Sequence, residues 1–226
     1  MELSENKLYA NSQVLFDQCM KSCEPKVALD IGANIGGVTH TMIQKGLSVH
    51  AFEPVPIVFK ELYGRFAKEF RVKCNNLGVS DKEEELKNIT VCIAWTLGTP
   101  ETTGLSIKPE YKDSPCFDAK FTTIDKYVSD KNLKIGLVKI DVDGYELKVL
   151  KGGEKTLREQ RPPILIELSE YIKNITGSIE QYVRFIFDLG YEIVSMDGAN
   201  FFRSWDEVKE LYPYSGSFDV MLMPIK

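Results

Sequence analysis

Short apolar runs alternate with helical stretches through most of this chain. After Pro25 the runs fall at residues 27–31, 49–52, 72–79, 137–140 and 164–166. Runs of this length between more polar stretches read as buried strands, and their alternation with helices predicts an α/β fold on a mostly parallel sheet. Phe59, Leu62 and Phe66 recur at helical spacing. So do Ile179, Tyr182, Val183 and Ile186, opened by Ser178 and Gln181 in capping-box spacing and closed by Gly190. Leu8, Leu15 and Cys19, with Tyr9, Phe16 and Met20 beside them, predict an amphipathic N-terminal helix within residues 1–24 that packs on the core. Ile89, Val91 and Ile93 alternate with Thr90 and Cys92, which predicts a half-exposed strand leading into a loop to about Pro109. The chain closes with "FDVMLMPI", residues 218–225, read as a last strand. No repeat, low-complexity tract or linker divides it, so a single domain over residues 1–226 is expected.

Composition narrows the class. Of 226 residues, 43% are hydrophobic and 27% charged, the balance of an ordinary globular domain. The 33 acids outnumber the 28 bases, for a net charge of -5, and no basic block stands out, so a nucleic-acid partner is not expected. Five cysteines at irregular spacings argue for a reduced, cytoplasmic setting. Cys19 and Cys23 can share a helix face, but with only His40 and His50 in the chain a zinc set is incomplete. The first residues lack a secretory pattern, and no apolar run approaches membrane-spanning length.

The chemistry begins in "VALDIGANIGG", residues 27–37, where a buried strand meets Asp30 and then a turn of very small residues, Gly32, Ala33, Gly36 and Gly37. In a parallel sheet the first such turn lies at the ligand crevice, and small residues let a backbone approach a ligand. A dinucleotide's pyrophosphate needs glycine at the second fingerprint position, which here is Asn34. NAD is therefore disfavoured, whereas S-adenosylmethionine (SAM) carries adenosine without phosphate. Asp30 could hold the ammonium of its amino-acid tail, directly or through water. "HAFEP" supplies Glu53, 21 residues beyond Gly32, near the offset of about 20 expected of an acid that accepts both ribose hydroxyls.

"GLVKIDVDGYELKVLKGG" sets Lys139 inside an apolar run with Asp141 two residues on, hence on the same side of a strand. The pair is either a structural ion pair at the sheet rim or places Asp141 at the crevice. Asp143 and Glu146 flank the start of the next helix, where a helix dipole also favours acids. In "PPILIELSE", Glu167 follows buried aliphatics at a strand's carboxyl end. Asp141, Glu146 and Glu167 are candidate bases for an acceptor hydroxyl, with Lys139 orienting a carboxylate. Acids of this kind can also hold Mg²⁺, but nothing in the sequence fixes a coordination set, and no metal is expected. His40 and His50 read as packing or surface residues.

With these residues in hand, the chain resembles the FkbM-type SAM-dependent methyltransferases through "ALDIGANIGG", "HAFEPVP", "NLGVSD", "FTTIDKYV", "LVKIDVDGYELKVLKGG" and "ILIELSE", in that order. The resemblance covers about residues 28–169. It implies a Rossmann-like methyltransferase fold whose last strand is antiparallel. It also implies that Asp30, Gly32, Ala33, Asn34 and Gly36 line the cofactor, that Glu53 holds its ribose, and that Asn76 and Ser80 lie near the adenine. The acceptor it implies is a hydroxyl of a sugar, a glycan or a polyketide. Asp143 and Tyr145 depart from the family's usual Glu and small residue in "DVDGYE". An Asn/Asp-Pro-Pro-aromatic turn, typical of nucleobase amino-methylating enzymes, is missing after residue 140, which favours oxygen over nitrogen as acceptor. A glycan hydroxyl suits an acidic protein best, and the loop over residues 96–118, with Tyr111 and Phe117, is the expected acceptor cover. A polyketide or other small-molecule hydroxyl, a nicotinamide-dependent oxidoreductase and a non-catalytic binding module are the alternatives.

Overall fold

The structure is a computed structural model, and it describes residues 13–90, 116–169, 172, 178–211 and 217–225. In chain order it runs α1 (Val14–Ser22), β1 (Val27–Ile31), α2 (Gly37–Gln44), β2 (Ser48–Phe52), α3 (Pro56–Phe66), β3 (Val72–Asn75), β4 (Gly78–Val79) and β5 (Glu84–Thr90). It continues with β6 (Cys116–Thr122), α4 (Ile124–Asp130), β7 (Leu137–Ile140), α5 (Glu146–Gly152), α6 (Glu154–Gln160) and β8 (Ile164–Ser169). The last elements are α7 (Ile179–Asp188), β9 (Tyr191–Val194), β10 (Phe201–Phe202), α8 (Trp205–Val208) and β11 (Ser217–Pro224).

The main sheet has the order β10-β9-β11-β8-β7-β1-β2-β3 among the described residues. The strands from β8 to β3 pair in parallel, and β11 runs antiparallel between β8 and β9. The expected α/β architecture with a parallel centre and an antiparallel last strand is what the chain adopts. Parallel strands are covered by helices on both faces, which is why their sequences are nearly continuous apolar runs. Leu29, Ile31, Val138, Ile140, Ile164 and Ile166 pack on one face with Tyr127, Leu150, Leu157 and Tyr182 from α4 to α7. Ala28, Val49, Leu137 and Leu165 pack on the other with Phe16 and Met20 from α1, Met42 from α2 and Leu62 from α3.

Local chemistry sets several element ends. Pro56 starts α3, where a missing N–H costs nothing. Thr123 accepts from the Lys126 amide to cap α4, and Ser178 accepts from the Gln181 amide to cap α7 as expected. The expected N-terminal helix is described from Val14 onward and does pack on the core. Its earlier part, with Leu8 and Tyr9, lies outside the described residues.

Two expectations change. The run at residues 72–79 is two strands, because the chain leaves the main sheet after Asn75 and joins a smaller one of order β4-β6-β5. Gly78 permits the crossing, since a β-carbon there would lie 2.3 Å from the Phe121 ring. The alternating strand around residue 89 is β5, paired antiparallel to β6, while Val91, Ile93 and most of the expected acceptor cover over residues 96–118, Tyr111 included, lie outside the described residues. Phe117 packs beside Val55 and Val58 in a small core of its own.

The core makes a quantitative demand. Ile140 is fully enclosed between β1 and β8. Ile140→Ala is expected to lower unfolding stability in urea by about 2–5 kcal/mol, whereas Ile57→Ala, at a half-exposed site, should change it by less than about 0.5 kcal/mol.

Candidate active site

Strand parity and register gather the charged residues. Asp30 on β1 is directly opposite Lys139 on β7, and Asp219 on β11 is directly opposite Glu167 on β8. Alternate residues of a strand share a face. Asp30, Lys139, Asp141, Glu167 and Asp219 therefore lie on the face that carries Ala28, Leu137, Leu165 and Met221, at the carboxyl ends of β1, β7 and β8.

The turn after β1 is tied to the end of β2, because the amides of Gly32 and Ala33 both donate to the Phe52 carbonyl, at 3.1 and 2.9 Å. Gly32 and Gly36 have positive φ, and both are also demanded by packing. A β-carbon on Gly32 would lie 1.8 Å from the Asp141 carbonyl, and one on Gly36 would lie 2.3 Å from the Phe66 ring. Close packing alone therefore accounts for these two glycines. Asn34 also sits in the left-handed region, with φ 52°, which asparagine tolerates better than most residues, and its side chain accepts from the Ile35 amide. Ala33 is buried in the core.

Glu53 joins the turn to the loop after β2. Its Oε2 accepts from the Asn34 amide at 3.0 Å and its Oε1 from the Val55 amide at 2.9 Å. Each carboxylate oxygen has a second lone pair, so the group can still accept two hydroxyls. Burial pushes its carboxyl up to about 7, against the pull of those two amides and of Lys139. Asn76 donates to the carbonyls of Glu53 and Pro54 and is brought to the same rim. Ser80 is not. It is fully buried, donates to Asp81, and has its carbonyl against Gly152 at the far end of α5.

Lys139 is only 4% exposed and holds the two halves of the crevice together. Its Nζ lies 3.4 Å from both Asp30 Oδ1 and Asp141 Oδ2, and it donates to the Gly32 carbonyl at 2.6 Å. Burial alone would lower its pKa, but the charges of Asp30 and Asp141 outweigh that and hold it above the ordinary lysine value. Asp30 is fully enclosed, with one oxygen directed to Lys139 and the other accepting from Thr39. Thr39 has no signal of its own in the sequence.

Beyond Lys139 the acids crowd one another. Asp141 has a half-exposed side chain. Asp143 has a left-handed backbone, with φ 53°, and is raised to about 6 by burial and then by Asp141. Glu167 is raised to about 8 by burial first, against a hydrogen bond from Ser217, with the charges of Asp141, Glu146 and Asp143 adding to it. Asp219 reaches solvent, yet partial burial and Asp141 lift it to about 6. Its signal was an acid within an otherwise apolar strand. Glu146, fully buried, accepts from the amides of Val142 and Gly144 at 3.1 Å each, so it braces the loop between β7 and α5.

Neither histidine joins this set. His40 pairs with Gln44 on α2, and His50 pairs with the Tyr127 hydroxyl at 2.8 Å. Cys19 and Cys23 are free and buried, and burial raises both thiols. Two surface grooves of about 360 and 330 Å³ lie elsewhere, one lined by Leu15, Arg203 and Met223, the other by Tyr63, Phe70 and Lys73. Among the described residues no helix is long and apolar enough to cross a membrane.

With the crevice defined, comparison decides its family. The Methyltransferase FkbM domain matches residues 30–193, which span the turn, Glu53, Lys139 and Glu167. The chain belongs to the FkbM family of SAM-dependent methyltransferases. This membership fits the methyltransferase alternatives and gives the nicotinamide oxidoreductase no support. Among solved structures, an FkbM methyltransferase from Methylobacillus flagellatus is 15% identical with a TM-score of 0.50, over 86% of this chain and 42% of that one. This chain thus spans less than half the length of that relative. A proposed rRNA methylase from Clostridium thermocellum is 10% identical with a TM-score of 0.51, over 97% of this chain and 99% of that one. At these identities the likeness establishes the fold alone. No curated protein matches the sequence significantly.

The raised Glu53 has a measurable sign. A carboxyl near 7 in the fold and near 4.5 unfolded stabilises the fold below pH 4.5 relative to higher pH, and that advantage is lost as pH rises through 7. The stability of Glu53→Gln relative to the parent should therefore rise by about 2 kcal/mol between pH 5 and 8 in urea titrations. A difference that stays flat or falls contradicts the assignment.

Proposed function

We propose that this FkbM-family protein transfers the methyl group of SAM to a hydroxyl oxygen, with a sugar in a glycan as the preferred acceptor. The observation that carries the reading is Glu53. It is a buried carboxylate fixed by two backbone amides beside the first βα turn, with the acids of β7 and β8 across the sheet. Its position matches that of an acid that accepts ribose hydroxyls in nucleotide-binding α/β sheets.

When bound, SAM supplies an electrophilic methyl group on a sulfonium sulfur. The chain's part is alignment, exclusion of water and removal of one proton. Asn34, Asn76 and Glu53 form the rim that would hold the nucleoside. Lys139 pins the turn to Asp141 and so fixes the distance between the cofactor side and the acids. Of the candidate bases, Asp141 and Glu167 reach the crevice, whereas Glu146 is enclosed and holds the loop that carries Asp141 and Asp143. Asp141 or Glu167 would take the proton of an acceptor hydroxyl as its oxygen receives the methyl group, the electron pair of the broken bond staying on sulfur. The preference for a glycan rests on the acidic chain, which suits a neutral partner, and on the resemblance of its motifs to enzymes that methylate sugars. A polyketide hydroxyl is the second reading on the same grounds.

The reading is tested by methyl-labelled SAM with a panel of deoxysugar-containing glycans, polyketides and amine acceptors. Label should pass to oxygen, and first to the glycans. Glu53→Ala should weaken SAM binding in calorimetry by at least about tenfold. Glu167→Gln and Asp141→Asn should bind SAM normally but turn over about 10²–10⁴-fold more slowly if each carries the proton. Transfer to nitrogen, or unchanged turnover in both acid variants, overturns it.

A further inference from the structure

Thr39 gives its hydroxyl proton to Asp30 and not to its own helix. Elsewhere in α2, Thr41 does what helical threonines commonly do, its hydroxyl donating to the Gly37 carbonyl four residues back at 3.3 Å. Thr39, 0% exposed, instead donates through Oγ1 to Asp30 Oδ2, from α2 across to β1. Asp30 is itself 0% exposed, and its Oδ1 accepts no hydrogen bond among the described residues, so that oxygen rests on the charge of Lys139 Nζ, 3.4 Å away.

The consequence lies at Lys139. An ammonium has three hydrogens, and this one is claimed by the Gly32 carbonyl at 2.6 Å, the Ile31 carbonyl at 3.4 Å, and two acids, Asp30 Oδ1 and Asp141 Oδ2, at 3.4 Å each. The two acids are not equal competitors. Charges attract more strongly where water is excluded, so the enclosed Asp30 pulls harder than Asp141, whose side chain is half exposed. Equal distances therefore need something that restrains Asp30. The Thr39 hydroxyl occupies the second carboxylate oxygen, so Asp30 cannot turn both oxygens to Lys139, and its hydrogen bond takes up part of the carboxylate's charge. A β-branched side chain, stiff at χ1 and fully enclosed, fixes the direction of that restraint.

We propose that Thr39 is a positioning residue for methyl transfer: it keeps Lys139 shared between Asp30 and Asp141, and so keeps the Asp141 carboxylate in place for the acceptor. This role rests on the reading above, in which Asp141 is a candidate base, and names what fixes that carboxylate. Without the hydroxyl, Asp30 turns both oxygens to Lys139, the ammonium moves towards Asp30, and Asp141 loses its partner. The cofactor side is held independently, by the Gly32 and Ala33 amides on the Phe52 carbonyl and by Glu53 on the Asn34 amide. The cost therefore falls on the transfer step and not on SAM binding. A misplacement of about 1 Å is enough to slow a reaction about 10²-fold.

The test compares Thr39→Val, which keeps the shape and removes the hydroxyl, with Thr39→Ser, which keeps the hydroxyl, in the full chain. A crystal structure of Thr39→Val should show Lys139 Nζ beyond about 4 Å from Asp141, outside ion-pair range, and Thr39→Ser should keep it within that range. With methyl-labelled SAM and a hydroxyl acceptor, Thr39→Val should bind SAM as the parent does in calorimetry, yet lower kcat about 10–10²-fold with little change in the acceptor KM. Thr39→Ser should restore most of that loss. Because the effect passes through Asp141, adding Thr39→Val to Asp141→Asn should slow turnover no further. Should Thr39→Val not fold, Thr39→Cys, a weaker donor of similar size, should show the same displacement and slowing in smaller measure. Lys139 at its parental distance from Asp141 in the variant, parental turnover, equal losses for Ser and Val, or losses that multiply in the double variant each overturn the role. The crystal structure needs no acceptor, so a failure of transfer to oxygen counts against the hydroxyl reading alone, and the geometry still decides the role of Thr39.

Discussion

A single ammonium organises the carboxyl end of this sheet's parallel strands. Lys139, on β7 beside β1, is enclosed, so burial alone would favour its neutral form, and it stays charged because Asp30 and Asp141 lie on either side of it. The same nitrogen donates to the Gly32 carbonyl, so one charge ties the turn after β1 to Asp141 at the end of β7. Removing a partner from such a pair leaves an uncompensated buried charge, which typically costs about 3–5 kcal/mol. The triad is therefore both an anchor for the fold and the ruler that sets the two halves of the crevice apart.

Much of this was legible in the sequence, and strand periodicity explains which part. The run around Lys139 and Asp141 places both on one face whatever the strand order, and the offset from Gly32 to Glu53 follows from one βαβ unit. Register is not legible in this way. That Asp30 lies opposite Lys139, and Asp219 opposite Glu167, depends on strands brought together from distant parts of the chain. Asp219 was overlooked for that reason, and Thr39 because its partner Asp30 is visible only in three dimensions. The split of residues 72–79 between two sheets was hidden by unbroken apolar character, and the space under Phe121 decides it.

The glycine turn teaches a narrower lesson. Its small residues pointed to ligand approach, yet Gly32 is demanded by the Asp141 carbonyl and Gly36 by Phe66. The nucleoside reading therefore rests on Glu53 and the amide of Asn34 more than on the glycines. The fold is likewise a weak guide to the acceptor. A protein proposed to methylate rRNA shares it at 10% identity, and acceptor choice resides in side chains grafted onto the strand ends.

The most direct measurement is a crystal structure of the chain with S-adenosylhomocysteine bound. The account predicts both ribose hydroxyls within about 3.2 Å of the Glu53 carboxylate, with the sulfur facing Asp141 across the crevice. A nucleoside bound elsewhere, or a ribose that leaves Glu53 to its two amides alone, would contradict it.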